Sequence, residues 1–214
     1  MRLLVTGFGP YPGVAHNPTA VLARRIAAHP RLRRFSVEAS AHVFEVSYAT
    51  VARDLPRLLA DLRPDAVLHL GLAPRERMIR IELRGENRRR MLHPDRSGAA
   101  PVRRRLEEAG PDLRASRAPA EPLLRLFVRA RLPVRLSRDA GAYLCNATLY
   151  ASLGATGALR PPPPTVFIHL PRPHRLGRKG PPSRAVETRA SDRMTEALVA
   201  AALLLVKDAR RRSA

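Results

Sequence analysis

The chain has 214 residues, 45% of them hydrophobic, and 39 Lys+Arg against 18 Asp+Glu, a formal net charge of +21. That apolar fraction supports one continuous core burying about 70% of the surface an unfolded chain exposes, so global disorder is excluded and a single domain over residues 1–214 is expected. The longest apolar run, residues 197–206, falls far short of the ~20 that cross a bilayer, and the N-terminus runs straight into a turn at Gly7 without a signal-peptide stretch, which predicts a soluble, cytoplasmic protein.

A single cysteine, Cys145, excludes an internal disulfide or a thiolate zinc cluster as the basis of stability. The charge alone would suit nucleic-acid binding. Lys179 and Lys207 are the only lysines, however, and the arginines are scattered among alanines and prolines as a compositional bias rather than a patch. Aromatic residues make up only 4%, too few for base-stacking platforms, so no specific nucleic-acid partner is expected.

Residues 3–5 read as a short buried strand ending at Thr6-Gly7. Asn17 before Pro18 is an N-cap followed by proline at the first helical position, with Val21, Leu22 and Ile26 as the apolar stripe of a helix to about residue 29. Residues 35–46 alternate as a strand, and Ser47 can cap a helix through Leu62 in which Pro56 should force a kink or a restart. Residues 66–70 form another buried strand ending at Gly71, and 78–83 alternate with period two as a half-exposed strand. The polar, Arg-rich stretch 86–117, broken by Pro94, Gly98, Pro101 and Gly110, predicts loop with a short helix at best. A helix over 123–132, a strand over 134–136 and a helix from Gly141 to about 153 follow. A stiff proline run at 161–164, a last strand over 166–170, a loop over 171–182 and an amphipathic helix over 190–211 complete the chain.

Strands separated by helices imply an α/β fold: an open, mostly parallel twisted sheet with helices on both faces. Ligands of such sheets sit beyond the carboxyl ends of the strands, which directs attention to residues 6–11, 71–72, 82–87, 141–146 and 169. Cys145 stands where a turn of small residues leads into a helix, and free N–H groups with the positive dipole end there favour a thiolate and can hold an oxyanion. His169, at the end of the last strand, is the histidine placed to exchange a proton with it, and Glu82 can orient the imidazole. Each has an ordinary explanation by itself: a buried small hydrophobe, a histidine packed beside Phe167, a carboxylate paired with an arginine.

Together they resemble the pyroglutamyl peptidase I family of cytoplasmic cysteine exopeptidases. The resemblance runs through Val5-Thr6-Gly7-Phe8-Gly9-Pro10-Tyr11, Asn17-Pro18-Thr19 and Leu68-His69-Leu70-Gly71-Leu72. It continues through Ile81-Glu82 with Asn87 and Pro94-Asp95 beyond, the segment from Ser137 to Asn146, and Phe167-Ile168-His169-Leu170-Pro171. These blocks, in order, span nearly the whole chain, and Ala-Gly-x-Tyr-Leu-Cys-Asn is the most specific of them. The resemblance implies Cys145 as nucleophile, His169 as general base and then acid, and Glu82 as its orienting group. It also implies a lactam pocket walled by Phe8 and Tyr11, shaped by Asn17 and read by the backbone of Gly71 and Leu72. Peptides with an N-terminal pyroglutamate would be the partners, in a homodimer or homotetramer, with no metal or organic cofactor and no membrane. A neutral, flat lactam needs aromatic walls and a few hydrogen bonds rather than a carboxylate for an α-amine.

Two positions depart from the family pattern. Many members carry an arginine ten residues after the orienting glutamate, where this chain has Leu92, with Arg88, Arg89 and Arg90 out of register; Tyr11 replaces the usual phenylalanine. The alternatives are a divergent member with a changed substrate or lost activity, and an arginine-rich nucleic-acid binder whose affinity would fall steeply with salt.

Overall fold

The computed structural model describes residues 1–91, 94–172 and 184–213, the last from residue 191 onward in side-chain detail. Leu92 and most of the loop expected over 171–182 lie outside the described residues. Six strands form the main sheet, in the order β2-β1-β3-β8-β4-β7: β1 (Arg2–Phe8), β2 (Glu38–Phe44), β3 (Ala66–Leu72), β4 (Ile79–Glu82), β7 (Val134–Ser137) and β8 (Thr165–Leu170). β5 (Arg84–Glu86) and β6 (Leu113–Ala115) make a separate antiparallel pair.

Both faces of the sheet are covered, so the central strands are apolar along their length rather than alternating with polar residues. Leu3 and Val5 of β1, Leu68 and Leu70 of β3, and Val166 and Ile168 of β8 face one layer, made by α1 (Pro18–Ala27), α4 (Ala120–Arg129) and α6 (Arg184–Ser213). Leu4, Phe8, Val67 and Phe167 face the other, made by α3 (Tyr48–Leu62) and α5 (Leu144–Gly157). A short helix, α2 (Pro30–Arg34), fills the gap between the helix expected to end near residue 29 and the strand expected from residue 35, and the strand itself begins at Glu38.

The sheet is mixed. β1 pairs in parallel with β2 and β3, and β3 with β8, but β4 runs antiparallel to β8 and β7 follows β4. This corrects the expectation that Glu82 stands beyond the same sheet edge as His169: the reversal of β4 places it opposite Phe167, inside the sheet. Pro56 neither breaks nor restarts α3, because the carbonyl its ring leaves without a donor belongs to Ala52, on the solvent side of the helix. Ser47 occupies the N-cap of α3 but makes no side-chain cap. The Tyr48 N–H donates instead to Asp95 Oδ2 at 2.8 Å, so a carboxylate 47 residues away supplies the acceptor. Asn17 caps α1 as expected, accepting from the Thr19 N–H at 3.2 Å. Among the described residues, 86–117 carries no helix.

Two polar side chains sit within this apolar face. Thr6 Oγ1 and His69 Nδ1 are 2.7 Å apart, and both residues are fully buried. Burial pushes His69 down to about 3. Because the folded value lies below that of an unfolded histidine, ~6.5, the stability this neutral imidazole contributes is complete above pH ~6.5 and is lost as pH falls toward 3. Thermal melts between pH 7 and pH 4 should therefore show a loss of up to ~1.4 kcal/mol per pH unit from this residue, and His69→Gln should flatten that slope.

Candidate functional site

The register of β3, β8 and β4 builds the site in two rows. Gly71, His169 and Arg80 lie side by side in one, and His69, Phe167 and Glu82 in the next. Alternation puts all six on the face covered by α3 and α5. Glu82 is thus a diagonal neighbour of His169, a separation that long side chains bridge. His169 Nδ1 donates to Glu82 Oε1 at 2.8 Å, with His169 4% exposed and Glu82 fully buried. With Nδ1 engaged, Nε2 is the ring nitrogen left for chemistry.

Cys145 approaches from the other layer as the second residue of α5, and it is only half-buried. Its seat depends on Gly71. A Cβ there would lie 2.5 Å from Phe167 Cε1 and 3.0 Å from Cys145 Sγ, so a side chain would occupy the space that the ring and the sulfur share. Burial alone would lower His169, but the charge of Cys145 and its hydrogen bond to the imidazole, followed by those of Glu82, outweigh it and raise the histidine to about 9. An imidazole that holds its proton at neutral pH beside a cysteine sulfur puts a proton donor and a nucleophile in one place.

The segments around α5 are tied by side chains. Asn146, next to Cys145, accepts from the Glu86 N–H at 2.8 Å and donates to the carbonyls of Glu86 and Arg88, both at 2.8 Å. Asn87 accepts from the N–H groups of Leu106 and Glu107 and donates to the carbonyls of Glu107 and Gly110, which uses its whole amide. Tyr143, the N-cap residue of α5, donates to the Pro94 carbonyl at 3.1 Å and meets Tyr48 edge-on at 5.7 Å.

The β1–β3 ladder ends at Thr6 and His69, although β1 stays paired with β2 as far as Phe8 and β3 with β8 as far as Leu72. The two strands therefore part beside Cys145. Phe8 is buried there, its ring 5.8 Å from Phe44 and 6.4 Å from Phe167. Tyr11, half-buried, has its hydroxyl pKa raised by burial and then by the charge of Cys145, with Arg172 opposing. Asn17 donates to the Gly9 carbonyl at 3.1 Å and so pins the loop that carries Tyr11.

All eight residues singled out from the sequence thus fall in this one region. What the sequence did not single out is the space left by Gly71, the bracing by Asn146 and Asn87, and the position of Arg80 against Glu82 and His169. The Ala-Gly-x-Tyr-Leu-Cys-Asn segment carried a signal for Asn146; the lone arginine in an alternating strand carried none for Arg80.

Known proteins resemble this chain in sequence and in fold. The pyroglutamyl peptidase family model matches residues 1–203. The pyrrolidone-carboxylate peptidase of Gloeobacter violaceus is 33% identical over 173 residues, covering 80% of this chain and 82% of its own. That of Thermococcus onnurineus is 29% identical over 189 residues, covering 88% and 92%. A mutant pyrrolidone carboxyl peptidase from Pyrococcus furiosus superposes with a TM-score of 0.83 at 26% identity, over 97% of this chain and 99% of that one. With the family model reaching from the first strand into the last helix, the chain belongs to the pyroglutamyl peptidase family of cysteine-type hydrolases.

Proposed function

We propose that this protein removes N-terminal pyroglutamate from peptides through a thioester on Cys145, with His169 as base and acid and Glu82 orienting the imidazole. The observation that carries this reading is the convergence of the three side chains from α5, β8 and β4 beside the fork between β1 and β3. The lactam enters the fork with Phe8 and Tyr11 against its ring, the backbone of Gly71 and Leu72 at its polar edge, and Asn17 holding the loop beneath. The Cys145 sulfur attacks the pyroglutamyl carbonyl, and N–H groups of the first turn of α5 stabilise the oxyanion. His169 gives its proton to the leaving amine, then takes one from the water that hydrolyses the thioester. The rest of the peptide stays in solvent, and a pocket closed behind the lactam makes the enzyme an exopeptidase. Residues 1–214 act as one domain in this reading. One free thiol suits the reducing cytoplasm, and the family resemblance extends to a homodimer or homotetramer, which sedimentation would distinguish from a monomer.

A chromogenic pyroglutamyl amide and its alanyl counterpart, assayed side by side, test the reading. Release from the first and not the second is expected, with iodoacetamide abolishing it and a pyroglutamate analogue protecting. Turnover of neither amide would remove the peptidase assignment.

A further inference from the structure

The buried Glu82 carboxylate has a second partner besides His169. Arg80, two residues earlier on β4 and therefore on the same face, places Nε 3.1 Å from Glu82 Oε1 and Nη2 3.3 Å from His169 Nδ1. Its side chain is only 16% exposed, and Nη1 is anchored at 3.1 Å on Glu76 Oε1, which Arg135 shares at 3.4 Å. The Arg80 Nε–H is not aimed to form a hydrogen bond, so its contact with Glu82 is an ion pair. Among the described residues Glu82 Oε2 has no hydrogen-bond partner, which leaves the carboxylate with one hydrogen bond and one guanidinium to offset its burial. We propose that Arg80 is a positioning residue for the catalytic pair: it is the counter-ion that holds Glu82 against Nδ1 of His169, and Glu76 in turn holds Arg80.

The proposal rests on the peptidase reading for its kinetic consequence but not for its geometry. A guanidinium at this distance opposes a second positive charge on the imidazole while it steadies the carboxylate that favours one. His169 is thereby kept from retaining its proton too firmly to pass it to a leaving amine. Among the described residues, the groups that face the pair are Cys145 from α5, Arg80 and Glu82 from β4, Glu76 and Arg135 behind Arg80, and Tyr11, Tyr48, Tyr143 and Arg172 on the Cys145 side. Removal of Arg80 leaves Cys145 and Glu82 unopposed, so the imidazolium should persist to higher pH. Removal of the Glu76 charge strengthens the guanidinium's opposition, so the effect should have the opposite sign.

The test is the pH profile of kcat/KM together with an NMR titration of the His169 ring in the folded proteins. Arg80→Gln should move the alkaline limb and the ring titration up by about one pH unit, Arg80→Lys should restore most of the original position, and Glu76→Gln should move both down by a smaller amount. Glu76 is one-third exposed, so its variant keeps the test available if Arg80→Gln fails to fold. Ring titrations that stay in place in folded Arg80→Gln and Glu76→Gln would overturn the proposal and leave Arg80 a packing residue. Failure of the peptidase reading would show separately, as absence of turnover in the parent enzyme, and the ring titration would still decide the role of Arg80.

Discussion

Replacing Cys145 with alanine should lower kcat/KM toward a pyroglutamyl amide by about 10⁴-fold or more, and His169→Ala by a similar factor. The double variant should be little worse than either single one, because a nucleophile without its proton acceptor and a base without its nucleophile fail at the same step. Cys145→Ser should be nearly as inactive, since a hydroxyl in that place lacks the ready ionisation of a thiol. Glu82→Gln should cost less, because a neutral amide still fills the space beneath Nδ1. Steady-state assays on folded variants measure all five, and full activity in Cys145→Ser would end the assignment of the nucleophile.

The pH dependence has a definite sign. His169 is raised to about 9 against burial by Cys145 and Glu82, so the imidazolium that protonates the leaving amine is present below that pH and activity should decline as pH rises through it. The same shift stabilises the fold: the contribution is complete below the unfolded value of ~6.5 and is lost as pH rises through the folded one.

Gly71→Ala should be the most damaging of the conservative changes outside those three residues. The added Cβ would sit 2.5 and 2.6 Å from two carbons of the Phe167 ring and 3.0 Å from Cys145 Sγ. That ring cannot retreat easily, because it is fully buried with His169 at 4.7 Å, His69 at 6.0 Å and Phe8 at 6.4 Å between centroids. Overpacking of this kind costs ~1–3 kcal/mol, or several degrees in Tm for a chain this long. A sulfur displaced by about 1 Å costs ~10²-fold in rate. Pairing Gly71→Ala with Phe167→Leu should recover part of both losses, with a coupling energy that two independent sites would not show. An unchanged melting temperature in Gly71→Ala would mean that the packing of this face is looser than described.

The members of the candidate site were legible in the chain because they travel in short blocks. Cys145 sits within a seven-residue segment, His169 lies at the end of an apolar strand, and Glu82 lies in the alternation over residues 78–83; each block keeps its form whatever surrounds it. The strands and helices were legible for the same reason, since period and capping are local: Asn17 needs only Thr19 to cap α1. Where a local rule was applied without its context it misjudged the outcome. The cap of α3 comes from Asp95 rather than Ser47, and α3 runs through Pro56 without a restart.

The direction of β4 belonged to the tertiary structure alone. An alternating Ile-Arg-Ile-Glu strand reads the same whichever way it enters a sheet, because alternation records which face a side chain takes and not which end of the neighbour it meets. Only the pairing with β8 decides that Arg80 lies opposite His169 and Glu82 diagonal to it. The ion pair behind the imidazole, the room beside Gly71 and the fork between β1 and β3 all follow from which strands become neighbours, a choice made by the packing of helices on both faces rather than by any segment on its own.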